Sequence, residues 1–126
     1  MLIYLFKHRT RPPILSKAWL KVWAKRVINA SGLISILYRR AVLSFRGVRL
    51  GVLSIVGRLD LNGPCNRLSL GERSFIASHV HLVLHDEIII GKRVVINDGV
   101  RLLTASHDIR RPNWVAFKKK IVIHDY

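Results

Sequence analysis

Leu70-Gly71-Glu72-Arg73-Ser74-Phe75, Ile76-Ala77-Ser78-His79-Val80-His81 and Leu82-Val83 follow one another in steps of six residues. After one longer step the rhythm resumes as Ile90-Gly91-Lys92-Arg93-Val94-Val95, Ile96-Asn97-Asp98-Gly99-Val100-Arg101 and Leu102-Leu103-Thr104. An aliphatic residue leads each unit, a small one often follows, and Ser or Val is typical of the fifth place. The period is neither that of a strand nor that of an amphipathic helix. It fits a hexapeptide β-helix, in which short strands and tight corners stack as coils around an aliphatic core. Leu50-Gly51-Val52-Leu53-Ser54-Ile55 has the same form, so the first coil is expected near residues 50–69, the second near 70–89 and the third from Ile90. Leu70 and Ile90 lie 20 residues apart. Three six-residue sides leave about two residues to bulge out near His85-Asp86-Glu87.

Composition bounds the rest. A chain of 126 residues, half of them hydrophobic, is one folded domain with a real core. The single cysteine, Cys65, excludes an intramolecular disulfide and a multi-cysteine metal site, and reads as an inert, partly buried thiol. The net charge of +15 is uneven: residues 1–59 hold twelve Lys/Arg and no acid, the first carboxylate being Asp60. Such an excess calls for an anionic partner or surface. The longest apolar run, Val27 to Tyr38, is broken by Asn29, Ser31, Gly32 and Ser35, too short for a membrane span. Leu2–Phe6 is too short for a signal-peptide core. A cytoplasmic location is expected, with contact at the inner face of the membrane open.

Residues 1–45 are expected to form a basic amphipathic helical segment. The helix runs over 14–45, as one piece or as two hinged at Ser31-Gly32, after Pro12-Pro13 and with Ser16 as N-cap. Trp19, Val22, Trp23, Val27 and Ala30 recur at helical spacing, with Lys17, Lys21, Lys25 and Arg26 off that stripe. Two compatible roles stay open: a cap over the apolar end of the first coil, and a helix lying on an anionic membrane surface. Residues 46–126 form the β-helix. After Thr104 the rhythm stops for a loop carrying His107, Pro112 and Lys118-Lys119-Lys120, then returns at Ile121-Val122-Ile123. A fourth coil is begun and not finished, so the domain is expected to be incomplete at its C-terminus.

The segment Gly63-Pro64-Cys65-Asn66-Arg67-Leu68-Ser69-Leu70-Gly71, the recurring Ile90-Gly91, and Leu102-Leu103-Thr104-Ala105-Ser106-His107-Asp108 together resemble the left-handed β-helix, hexapeptide-repeat O-acetyltransferases. The look-alikes are the exopolysaccharide (colanic acid) type, with galactoside and maltose acetyltransferases more distant, and the resemblance covers Arg46 to Tyr126. It implies a left-handed parallel coil, against the usual right-handed crossover, and a homotrimer with intersubunit active sites. It implies acetyl-CoA as acyl donor, no metal, and a saccharide or lipid-linked saccharide as acceptor. His107 matches the family's general base, and an imidazole is the side chain best suited to deprotonate a sugar hydroxyl near neutral pH. Asp108 could orient the loop or the imidazole, or be a plain surface acid. Trp114 could pack on a sugar ring, on a neighbouring subunit or into its own coil. Ala77 stands where galactoside-type enzymes hold the acceptor with an asparagine, which points away from a galactoside-type site. The family runs on for several coils that supply much of the coenzyme A groove, so a chain ending at Tyr126 is expected to have an impaired donor site.

Other residues are weaker candidates. His79 and His81 alternate and would share one face of a strand, with His85 at the bulge; all three are candidate acceptor contacts, and a zinc site is disfavoured because three or four convergent ligands are not apparent. Lys118, Lys119 and Lys120 are a solvated face or a contact for coenzyme A phosphates. Specific nucleic-acid binding is disfavoured because no recognition motif accompanies the charge. The alternative to an enzyme is a truncated, non-catalytic hexapeptide protein that acts as a trimerising scaffold or is defunct.

Overall fold

The computed structural model describes Lys7, Pro13, residues 15–110 and residues 112–126; Pro12 and the first residues of the expected helical region lie outside these. The chain divides into two compact units, Met1–Tyr38 and Arg39–Tyr126.

The long helix α1 spans Lys17–Phe45. Ser16 starts it: its Oγ accepts the Trp19 N–H at 3.0 Å while its carbonyl accepts the Leu20 N–H at 3.0 Å, the geometry of an N-cap. The helix passes through Ser31-Gly32 without a hinge. One glycine costs only about 1 kcal/mol in a helix, too little to break a run of helix-competent residues on both sides. Gly47 ends it. With φ of +93° it sits in the left-handed region, its N–H donates to the Ser44 carbonyl, and the Val48 N–H reaches back to that of Leu43, each at 3.0 Å. This is a Schellman motif with its usual apolar contact, since Leu43 and Val48 are both buried in the core.

From Arg49 the backbone visits three parallel sheets in a fixed rotation. The first turn contributes β1 (Arg49–Leu50), β2 (Ile55–Val56) and β3 (Leu59–Asn62). The second contributes β4 (Leu68–Leu70), β5 (Phe75–Ile76) and β6 (Val80–Val83). The third contributes β7 (Ile88–Ile90), β8 (Val95–Ile96) and β9 (Arg101–Leu103). The sheets are β1-β4-β7-β12, β2-β5-β8 and β3-β6-β9, where β12 is Ile121–Ile123. The result is mainly parallel β structure, β-helix-like, behind a helix. Arg49 pairs Ser69 and Ser69 pairs Ile89, so each turn consumes 20 residues there, the spacing expected from sequence.

The alternation within strands places the core. Leu68, Leu70, Ile76, Val80, Leu82, Ile88 and Ile90 point inward and are at most 3% exposed. Ser54 and Ser74, the modest residues at the fifth place, are buried inside the corners; the Ser74 Oγ donates to the Gly91 carbonyl at 2.7 Å and accepts the Val94 N–H at 3.1 Å. Successive coils approach closely at the same corner. A Cβ on Gly71 would stand 2.5 Å from the backbone of Gly91, so no side chain fits. Leu53, Arg73 and Arg93 repeat one left-handed conformation there, with φ of 58°, 57° and 59°. Each such residue costs roughly 1–2 kcal/mol, offset by coil-to-coil hydrogen bonds such as Arg73 N–H to Val52 O and Arg93 N–H to Glu72 O, both 2.9 Å.

Within the second unit, the last turns of α1 close the first coil. Leu43 covers its apolar end, and Arg40 supplies the missing donors: its guanidinium donates to Ser54 O (2.8 Å), Ser54 Oγ (2.6 Å), Gly51 O (2.7 Å) and Leu50 O (3.3 Å). In the next coil the matching carbonyls, Leu70 O and Ser74 O, accept the N–H groups of Gly51 and Ile55. Arg40 thus stands in for the backbone of a preceding coil. Burial pushes its pKa below the ordinary arginine value.

Candidate active site

The expected loop after Thr104 is a β-hairpin. β10 (Ala105–His107) pairs antiparallel with β11 (Ala116–Lys118), Ala105 opposite Lys118 and His107 opposite Ala116. Its base is bolted to the coil by Thr104, only 3% exposed: the hydroxyl donates to Val83 O at 2.7 Å and accepts the Asp86 N–H at 2.9 Å, while Thr104 O accepts the Lys119 N–H at 2.8 Å. This knot also explains the bulge near Asp86-Glu87, which turns so that Asp86 can reach Thr104. The chain then rejoins the coil as β12, Ile121 opposite Ile88.

Between the hairpin and the outer face of the β3-β6-β9 sheet lies a groove of about 430 Å³. Val83 and Leu103, two outward residues of β6 and β9, form its floor. Ala105, Ala116 and Phe117 line its hairpin side, and the polar side chains at its rim are His85, Ser106, His107 and Lys118. The wall is almost wholly apolar, which suits a ligand that leaves water while a few groups address its reactive part. His107 is exposed at the end of β10, where an incoming hydroxyl can reach it.

The structure therefore gathers His85, His107 and Lys118 into one groove and leaves the other candidates outside its lining. Asp108 follows β10; its N–H donates to Val115 O and its carboxylate accepts the Arg110 N–H, both at 3.0 Å, so it shapes the hairpin turn. Trp114 is exposed in that hairpin with φ of 47°. Lys119 and Lys120 are exposed on the way back to the coil. His79 does not belong to a strand. It occupies a left-handed corner with φ of 60°, at the place where the next coil has Gly99, and β6 begins one residue later. Strand alternation thus does not put it on the face of His81.

His81 is on that outer face, in register between Asp60 and Arg101. Its Nδ1 lies 2.7 Å from Asp60 Oδ2, an arrangement that fixes the ring and leaves Nε2 as the outward-facing nitrogen. Two residues further along the same strands come Val83 and Leu103, so the Asp60–His81–Arg101 ladder adjoins the groove floor at a distance of roughly 7 Å along the strands. Sequence reasoning missed Asp60 because its partner lies 21 residues on, one more than the coil period, the extra residue falling at the His79 corner. Thr104, Val83, Leu103 and Phe117 were passed over as repeat or loop residues; Thr104 was detectable as the last residue before the rhythm fails. Among the described residues, no three His, Cys, Asp or Glu side chains cluster as metal ligands. No family model matches the chain, and no curated protein or solved structure matches it.

Proposed function

We propose that this protein is an O-acetyltransferase of the left-handed β-helix, hexapeptide-repeat type, moving an acetyl group from acetyl-CoA to a saccharide hydroxyl in surface-glycan synthesis. The observation that carries the reading is the position of His107, on a β-hairpin thrown from a parallel β-coil and lining an apolar groove. In this reading the imidazole takes the proton from the acceptor hydroxyl as its oxygen attacks the thioester carbonyl. A tetrahedral oxyanion forms and collapses, the C–S bond breaks, and the imidazolium returns the proton to the coenzyme A thiolate. The products are an acetyl ester and free coenzyme A. Lys118, which lines the same groove, is the cation for the donor's phosphates, with Lys119 and Lys120 following it. His85 and the Asp60-braced His81 are the acceptor contacts.

A homotrimer with sites between subunits completes the proposal. Its support is an outward apolar ladder on the β2-β5-β8 sheet, where Ile55, Phe75 and Val95 stack in register and Val95 is 64% exposed. An exposed patch of that kind is characteristic of a subunit contact. The alternative of a non-catalytic trimeric scaffold rests on the same ladder.

The test is release of free thiol from acetyl-CoA in the presence of acidic and neutral saccharides, with acetyl ester detected on the sugar by mass spectrometry. His107→Ala is expected to lower kcat about 10²–10⁴-fold with the melting temperature unchanged. No transfer by the wild-type chain under conditions where it binds coenzyme A would remove the enzyme reading and leave the scaffold.

A further inference from the structure

Within Met1–Tyr38, helix α1 presents an apolar face that stands exposed among the described residues. Leu20, Trp23, Val27, Ile34 and Tyr38 fall at i, i+3, i+7, i+14 and i+18, one stripe of a helix turning about 100° per residue, and they are 41–69% exposed. Ser31 is the polar interruption between Val27 and Ile34; large apolar side chains exposed in such a row mark a binding surface rather than chance exposure. The cations define what it binds. On the same angular scale Lys17 and Arg26 lie near the two borders of the stripe, and Lys21 and Lys25 lie further round the polar face. Arg26 packs its guanidinium 5.7 Å from the centre of the Trp23 ring, and Trp19 meets Trp23 with centroids 5.9 Å apart, so the aromatic pair sits at the boundary between apolar and charged surface.

A second copy of this face is a poor partner. Residues 1–59 contain twelve Lys/Arg and no acid, so two such helices would meet with like charges and nothing to pair them. An anionic bilayer supplies both requirements at once: acyl chains for the stripe and phosphate-rich headgroups for the flanking cations, with tryptophan at the interfacial depth it favours. Among the described residues, no helix is long and apolar enough to cross a membrane; an amphipathic basic helix that meets a bilayer lies in the interface plane. We infer that α1 is a monotopic anchor for an anionic lipid surface. Taken with the proposed function, on which this last clause rests, the anchor favours a lipid-linked saccharide as acceptor.

The experiment is flotation of the full chain with phosphatidylcholine vesicles, with and without phosphatidylglycerol, over a range of salt. Binding at least about tenfold tighter to the anionic vesicles, weakening as salt rises, with a blue shift of tryptophan emission, is expected. A Val27→Glu/Ile34→Glu variant should lose the binding while keeping wild-type helical circular dichroism. Absence of binding to anionic vesicles would overturn the inference, as would equal binding by the variant. Self-association abolished by the same variant, with no vesicle binding, would overturn it in favour of a protein contact. The readout needs neither acetyl donor nor saccharide: vesicle binding without acetyl transfer would defeat only the proposed activity, and transfer to a free saccharide without vesicle binding would defeat only the anchor.

Discussion

Replacing Arg40 by methionine should destabilise the β-coil by about 3 kcal/mol. The variant keeps most of the apolar stem and removes the fork that donates to Ser54, Gly51 and Leu50. A hydrogen bond from a charged donor contributes about 1.5–3 kcal/mol net, and three of the four contacts are 2.8 Å or shorter. They share one guanidinium and do not add, and its partial burial, the same effect that lowers its pKa, opposes them. Once the fork is gone, the carbonyl of the fully buried Ser54 has no donor, a further cost of about 1–3 kcal/mol. For a unit of 88 residues, Arg39 to Tyr126, each kcal/mol shifts the melting temperature by roughly 4–8 °C, so the expected fall is about 12–24 °C. Arg40→Lys keeps the charge without the fork and should fall about half as far. Thermal and urea unfolding followed by far-ultraviolet circular dichroism measure both. Arg40→Met unfolding within about 0.5 kcal/mol of wild type would show that water replaces the guanidinium without loss, and the idea of a surrogate coil would fail.

Thr104→Val keeps shape but removes the hydroxyl that ties Val83 to Asp86; about 2 kcal/mol should be lost, and the imidazole resonances of His107 should broaden in NMR as the hairpin base loosens. Gly71→Ala forces a Cβ against the Gly91 backbone, so chevron or equilibrium unfolding should show a loss of at least 1–3 kcal/mol, whereas Gly32→Ala, with open space around its Cβ, should be neutral or stabilising. In the acetyltransferase reading, Asp60→Asn unfastens His81 and should raise the acceptor KM about fivefold, the equivalent of ~1 kcal/mol, with kcat little changed; an equal fall in kcat would give His81 a role in the chemical step.

The coil was legible because its constraint is local and repeated. Each turn needs an inward aliphatic residue, a corner too tight for a side chain and a small residue behind it, and Leu70-Gly71-Glu72-Arg73-Ser74 shows all three within five positions. The N-cap at Ser16 was legible for the same reason. What escaped depends on contacts between turns. His79 looks like a strand residue until the register shows one more residue in that corner than in the coil before it, and Asp60 becomes a partner of His81 only through the same shift. The hairpin read as a loop because Ala105-Ser106-His107 and Ala116-Phe117-Lys118 are short and carry little strand pattern; they are strands because Thr104 clamps both ends of the excursion. His107 was found through the end of the rhythm, whereas its apolar surroundings, Leu103 and Phe117, come from two strands that only the fold brings together.

The Arg40 fork has a consequence for assembly as well as for stability. A parallel coil is a template at each open end, since its bare carbonyls and apolar rim invite the strand edge of another molecule. Here the β1–β2 corner of the starting end offers no such invitation: a cation sits over its carbonyls, and Leu43 packs into the core beside it. Head-to-tail stacking into a filament requires a free surface at every junction, so a plug at one end halts growth whatever the opposite end presents. The residue that completes the first coil also keeps one molecule from becoming the next turn of another.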